Sequence, residues 1–194
     1  MNTYRVGEVC AFSKAKEQWG GFGNMSGGYP LRLVKGGILI PSSEHLYQCM
    51  RFSYHPNIQQ EILSQGSGMG AKMGAKKYRL AYTRIDFEAN KLDIMMWCLR
   101  IKASQHKKYR DLLLETGDRS IVEISKKDQF WGAKMSEDGS ELVGHNALGQ
   151  LHEDIRDMVM DENGFDQYKV IEPVGIPNFS LLGVEIGVLD FRPK

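Results

Sequence analysis

The stretch that decides the fold is Asp86-Phe87-Glu88-Ala89-Asn90-Lys91-Leu92-Asp93-Ile94-Met95-Met96-Trp97-Cys98-Leu99-Arg100-Ile101-Lys102-Ala103. Leu92, Met95, Met96, Leu99 and Ala103 recur at helical spacing on one side, Ile94, Trp97 and Ile101 on another, and Asp86 can cap the start. A helix apolar on most of its circumference belongs inside a core, so this one is predicted as the central buried helix. Lys102, near its end, is the exception. Its amine can snorkel to water along a packed stem; if buried, it loses proton affinity and can serve as a nucleophile or Schiff-base former.

Upstream, Pro41-Ser42-Ser43-Glu44 reads as a helix start, with a serine as N-cap and a carboxylate in the first turn. The helix is expected to run to about Tyr54, with Glu44, Gln48, Arg51 and His55 sharing one face. By pattern alone that stripe reads first as the wet face of a surface helix; a Glu, a Gln, an Arg and a His on one face beside a glycine-rich loop also make a polar pocket wall. Leu31 to Ile40, broken by Lys35-Gly36-Gly37, reads as a hairpin, and Ile58 to Leu63 as a short helix. Gly66-Ser67-Gly68-Met69-Gly70 reads as a glycine-rich loop. It reproduces GxGxxA with Ala71, but no strand precedes it and no βαβ unit encloses it, so a dinucleotide fingerprint is rejected. Lys72, Lys76, Lys77, Arg79 and Arg84 fall in a segment with no acidic residue between Glu61 and Asp86, a local positive field suited to phosphate or to plain solvent.

Downstream, His106 to Glu115 is predicted helical, Ile121 to Ile124 a strand, Ser125 to Gly144 a long loop, and Leu148 to Met158 an amphipathic helix. The remainder, with three prolines after Val170 and alternation of Val184, Ile186 and Val188 over Leu182 to Leu189, reads as a β-rich appendage. The expected class is α+β: one mainly helical domain over residues 1–160, short strands, and a C-terminal extension over 161–194 packing on the same domain.

Composition narrows the function classes. The chain has 194 residues, 42% hydrophobic and 25% charged, which suits a globular protein with one substantial core. The formal net charge of +1 neither favours nor excludes a polyanionic partner, so charge distribution has to decide. Cys10, Cys49 and Cys98 are odd in number and far apart, which suits neither a disulfide framework nor a CxxC site. No stretch matches a bilayer span and no signal peptide is recognisable, so the expectation is a cytoplasmic protein with no membrane partner. His45, His106, His145 and His152 have no metal-ligand spacing, so neither metal nor cofactor is expected.

Two further segments carry chemistry-bearing residues. Asp128-Gln129-Phe130-Trp131-Gly132 combines a carboxylate, aromatic planes and a flexible glycine; its aromatics suit a ligand-facing loop and a core plug equally. Gly144-His145-Asn146-Ala147-Leu148-Gly149 opens a helix, with Asn146 a candidate N-cap.

Taken in order, these pieces resemble the NADAR (YbiA-like) family. The matching segments are Phe22-Gly23-Asn24, then Pro41 to Phe52 with its Ser-Ser-Glu-His core, then Ala71-Lys72-Met73-Gly74. They continue with Arg100 to Gln105, Leu113 to Gly117, Val122-Glu123, Asp128 to Gly132, and Gly144 to Gly149 leading to Arg156. Departures are Arg51 where lysine is common, Gly68 near a frequent proline, and His152 in place of an aliphatic residue. The resemblance implies a compact α+β fold and N-glycosidase activity. Some members act on phosphoribosylamino intermediates of riboflavin synthesis; others remove ADP-ribose from guanine in DNA, reversing an ADP-ribosyltransferase toxin. By the same resemblance Glu44, Asp128, Trp131 and Asn146 are pocket residues.

Cleaving a ribosyl C–N bond builds oxocarbenium character on the sugar and negative charge on the departing nitrogen, so a carboxylate and a proton source are needed. The expected assignments are Glu44 as general acid or base, Asp128 orienting sugar or water, and Lys102 as a candidate for imine capture. Phe22, Asn24, Gln48, Arg51, Lys72, Lys76, Trp131, Gly132 and Asn146 are expected to contact substrate, the cations on its phosphates. The expected substrate is ADP-ribosylated DNA, with a link to an ADP-ribosyltransferase toxin; the alternative is a ribosylated base-like metabolite. A rival of another class is a non-catalytic binder of ADP-ribose or nucleotide.

Overall fold

The computed structural model describes residues 1–193. In chain order its elements are β1 (Asn2–Arg5), β2 (Cys10–Phe12), α1 (Ser43–Arg51), α2 (Pro56–Leu63), α3 (Gly68–Lys76), α4 (Arg79–Tyr82), α5 (Phe87–Gln105) and α6 (Lys107–Glu115). These are followed by β3 (Ile121–Glu123), β4 (Ala133–Met135), β5 (Glu141–Gly144), α7 (Ala147–Met160), β6 (Val170–Ile171), β7 (Ser180–Leu181), β8 (Val184–Glu185) and β9 (Leu189–Asp190). The class is α+β, as expected. Two compact units are each assembled from two separate stretches of chain: 1–26 with 106–165, and 27–105 with the segment from Asp166 onward.

In the first unit β5 runs antiparallel to both β1 and β4, while β2 and β3 pair in parallel, Cys10 opposite Ile121 and Phe12 opposite Glu123. The stretch expected as a loop over Ser125 to Gly144 therefore contains a hairpin. Its strands are too short for alternation to register, and its turn is built by Asp138, whose carboxylate accepts from the Ser136 hydroxyl and from the Ser140 N–H and hydroxyl. Val122, Ala133 and Leu142 make one small core cluster. Helix α7 packs on β3 at backbone distance: a Cβ added to Gly149 would lie 1.9 Å from the Ile121 carbonyl oxygen. Glycine is there because nothing larger fits.

In the second unit α1 packs against α2, α3 and α5. Its residues from Ser43 to Met50 are all buried, so the surface-helix alternative falls. The helix stops at Arg51, short of Tyr54, and His55 instead precedes Pro56 at the start of α2, off the Glu44 stripe. The glycine-rich "loop" is helix α3. Ser67 caps it, its Oγ accepting from the Gly70 N–H at 3.0 Å, and the small residues Gly68, Ala71 and Ala75 form its buried face. Small side chains here permit close helix approach, which is why a run that reads as a loop is helical. The expected hairpin over Leu31 to Ile40 reduces to a single antiparallel bridge between those two residues, closed over Gly36 at φ 75°.

The C-terminal segment is β-rich but not one strand. Leu182 and Gly183 both take positive φ, forming the tight turn between β7 and β8; Ile186 is buried while Val184 and Val188 are exposed, so the three do not share a face. The segment is anchored by Gln59, fully buried, whose amide donates to the Cys49 and Ser180 carbonyls and accepts from the Leu182 N–H. Arg84 adds a second clamp, donating to Asp86, to Ser53 Oγ and to the Pro177 carbonyl. Helix α5 matches its predicted span within two residues and buries Ile94, Trp97, Leu99 and Ile101 as expected. No helix among the described residues is long and apolar enough to cross a membrane.

Candidate active site

The expected site residues divide between the units: Glu44, Gln48, Arg51, Lys72, Lys76 and Lys102 in the second, Phe22, Asn24, Asp128, Trp131, Gly132 and Asn146 in the first.

In the second unit, the first turn of α1 carries Glu44 into the interior with 6% of its surface exposed. Gln48, one turn on, donates from Nε2 to Glu44 Oε1 at 2.8 Å. Burial raises the Glu44 pKa, opposed by that hydrogen bond and by the positive charges of Lys72, Arg79 and Arg51. A carboxyl so placed holds its proton nearer neutrality than an exposed glutamate does. Arg51 lies over Phe87, its guanidinium carbon 3.7 Å from the ring centroid, and burial lowers its own pKa. Ser43 Oγ, Gln48 Oε1 and Arg51 Nε are buried without a partner among the described residues. Three incomplete polar atoms on the helix that carries this protonatable carboxyl leave bonding capacity in reserve.

Lys102 does not snorkel. It is 1% exposed, its ammonium sits 4.4 Å from the Tyr29 ring centroid, and burial lowers its pKa to about 7. A large share of the free amine is therefore present at neutral pH. Lys72 and Lys76 are exposed on α3, one turn apart.

His45 shows what the motif's histidine does. Its Nε2 donates to the Gln65 carbonyl at 3.0 Å, so its Nδ1 is the acceptor for the Ser42 hydroxyl at 2.8 Å. The ring, fully buried, ties the start of α1 to the approach to α3. Among the described residues no group of three or more His, Cys, Asp or Glu side chains could hold a metal ion. The three cysteines are free and buried, and burial raises the pKa of each.

In the first unit the motif residues do different work. Phe22 has no exposed surface and packs among Phe12, Trp19, Tyr109 and His152, so it belongs to the core and not to a ligand surface. Asn24 is 8% exposed. Asp128 Oδ1 accepts the backbone N–H groups of Phe130 and Trp131, at 3.1 and 3.0 Å, and so shapes the turn that presents the half-buried Trp131. Asn146 precedes α7 in the left-handed region at φ 53° and does not cap it, contrary to expectation. Its fully buried side chain bonds sideways, Oδ1 accepting from the Glu123 N–H and Nδ2 donating to the Ile121 carbonyl and, at 3.4 Å, to Tyr4. Gly132 fits because a Cβ there would meet the Glu123 carbonyl at 2.6 Å.

Sequence reading missed Tyr29 and Phe87, the aromatic partners of Lys102 and Arg51; no local pattern marks them. Arg79 was visible only as one cation of the acid-free segment, yet its charge bears directly on Glu44.

An α+β chain with a buried, protonatable carboxyl beside cations and a buried amine defines a class of proteins equipped for acid–base or imine chemistry on an anionic ligand. The family follows from comparison. The NADAR domain model matches residues 11–160, and the chain belongs to that family. It is 32% identical over 155 residues to N-glycosidase YbiA of Escherichia coli (strain K12), covering 79% of this chain and 90% of that protein. The NMR structure of E. coli YbiA superposes with a TM-score of 0.64 at 29% identity, covering 82% of this chain and 90% of that one. A riboflavin biosynthesis protein of Vibrio vulnificus (strain YJ016) is 28% identical over 149 residues; the match spans 77% of this chain but only 39% of that longer protein.

Proposed function

We propose that this protein is an N-glycosidase that removes ADP-ribose from guanine bases in DNA, with Glu44 as the proton donor to the departing nitrogen. The observation that carries the reading is the Glu44 carboxyl: buried, held by Gln48, its pKa raised, and within the field of Lys72, Arg79 and Arg51. As the ribosyl C–N bond breaks, its electron pair goes to nitrogen, which takes the Glu44 proton; water adds to the sugar carbon and returns a proton to the carboxylate. The cations suit a ligand's phosphates. Asp128 acts indirectly, by shaping the turn that carries Trp131.

A second route is favoured by Lys102. An N-ribosyl amine can ring-open to an imine at the sugar carbon; the free amine of Lys102 adds there, the base leaves as an amine, and water hydrolyses the lysine imine to release the sugar. Its pKa of about 7 supplies the unprotonated amine this needs. Borohydride added with substrate would mark Lys102 for mass mapping; saturating substrate without an adduct would eliminate this route.

The alternative substrate, a phosphoribosylamino-pyrimidine, is favoured by the riboflavin names of the relatives from Vibrio vulnificus and Zea mays. Incubation with a guanine-ADP-ribosylated oligonucleotide and with the pyrimidine, following sugar release, separates the two. Thermal stabilisation by ADP-ribose with turnover of neither would overturn the enzymatic reading.

A further inference from the structure

A groove of about 370 Å³ lies between the start of α2 and the end of α3–α4, with Tyr54, His55, Tyr78 and Tyr82 among its lining residues. Tyr54 and Tyr82 are 50% and 44% exposed, so both rings are open to a ligand. The rings are set relative to one another. Tyr82 meets His55 edge to face at 5.0 Å and Tyr78 at 6.0 Å, and the Tyr78 hydroxyl donates to Glu61 Oε2, fixing that ring.

An independent observation concerns charge. Between Glu61 and Asp86 both flanking carboxylates are spent, Glu61 on Lys77 and Tyr78, Asp86 on Arg84. Lys72 and Lys76, one turn apart on α3, and Arg79 at the start of α4 have no ion-pair partner among the described residues. The charges of Lys72 and Arg79 bear on Glu44, and Arg79 directly follows the groove residue Tyr78 in the chain, so the positive segment and the aromatic groove share the α3–α4 stretch.

Half-exposed rings in a groove that shares the α3–α4 stretch with cations without ion-pair partners match what single-stranded nucleic acid presents, a flat base and a line of phosphates. We propose that the Tyr54–Tyr82 groove receives an unstacked base of single-stranded DNA beside the substrate nucleotide, and that Lys72, Lys76 and Arg79 track the intervening phosphates. The assignment rests on the DNA reading above and deepens it: this subsite, outside the chemistry, would distinguish a DNA-borne substrate from a free metabolite.

The test uses the full chain and a fluorescein-labelled, unmodified oligothymidylate, titrated by fluorescence anisotropy at low and moderate salt. Tyr54→Ala/Tyr82→Ala is expected to weaken binding about 10-fold or more while keeping the parent melting temperature, and Tyr82→Phe to retain it. Lys72→Ala/Lys76→Ala is expected to lower the salt slope by about 0.7 for each phosphate no longer neutralised. Failure of the parent to bind, parent-like binding by the tyrosine-to-alanine variant, or displacement by AMP at equal base concentration would overturn the assignment, even if the parent hydrolyses a small N-ribosyl substrate. Conversely, oligonucleotide binding that the tyrosine variant loses, with no sugar released from any N-ribosyl substrate, would uphold the groove and remove the glycosidase reading.

Discussion

The α1 motif around Glu44 and the Asp128-to-Gly149 motifs are both polar, glycine-flanked segments, yet the structure uses them in opposite ways. Around Glu44, Ser43, Gln48 and Arg51 each keep a buried atom without a partner, and the carboxyl is held where ionisation is disfavoured. Around Asp128 and Asn146, side-chain polar atoms are spent on backbone groups, and glycines allow chains to touch. On the proposed reading, the first region gives up stability to keep bonding capacity for a ligand. The second spends its polar groups on architecture. Substitutions should therefore separate the two: activity falls while stability is kept or gained in one, and stability falls in the other.

The largest effect is expected from Glu44→Gln, which should reduce turnover of the N-ribosyl substrate by about 10²- to 10⁴-fold, the usual contribution of a positioned acid. Affinity for ADP-ribose should be kept. Its folded pKa is raised, so Glu44 contributes stability below its ordinary value of 4.5 and loses it as pH rises through the folded value. The glutamine variant should consequently melt higher than the parent at pH 8 and show no such gain at pH 4. A variant with near-parental turnover would remove Glu44 from the chemistry.

Gly149→Ala comes next. With an added Cβ 1.9 Å from the Ile121 oxygen, α7 must part from β3, and a loss of about 3 kcal/mol or more is expected in urea denaturation. Parent-like stability would show that α7 sits loosely on β3.

Lys102→Met tests the cost of the buried amine. Its pKa falls from 10.5 to about 7 on folding, so the stability present above 10.5 is lost as pH falls towards 7, and the full penalty applies below that. The methionine variant should out-melt the parent at pH 6, with the difference shrinking steadily between pH 7 and pH 10. A pH-independent difference would mean that the amine is solvated.

The smallest effect is expected from Asp128→Asn. The amide oxygen can still accept the Phe130 and Trp131 N–H groups, so turnover should drop less than about 10-fold. A loss as large as that of Glu44→Gln would return Asp128 to direct acid–base chemistry and erase the contrast between the regions.

Much of this was legible in the sequence. Helix α5 was readable because its apolar residues cover most of its circumference over several turns, and α7 because its stripe repeats. Glu44 and Gln48 were readable as a pair, being one helical turn apart. Other features were hidden for local reasons. Helix α3 looks like a loop because glycine propensity argues against a helix, whereas Gly68, Ala71 and Ala75 serve close packing on α1. The β4–β5 hairpin is masked by its brevity. Asn146 looks like a cap because that is what asparagine commonly does before a helix, while its actual bonds reach Ile121, Glu123 and Tyr4, far away in sequence.

The linear chain was enough to specify the α+β class, the buried α5, the positive segment between Glu61 and Asp86, and the ordered motifs of the NADAR family. These rest on periodicity, composition and order, all written along the chain. Folding in three dimensions was needed to establish that Glu44 is buried beside Gln48, that Lys102 lies under Tyr29 and away from water, that Phe22 is core, and that Tyr54, just before α2, shares one groove with Tyr82 of α4. Burial and long-range partnership set pKa and exposure, and neither quantity is encoded in the spacing of neighbours.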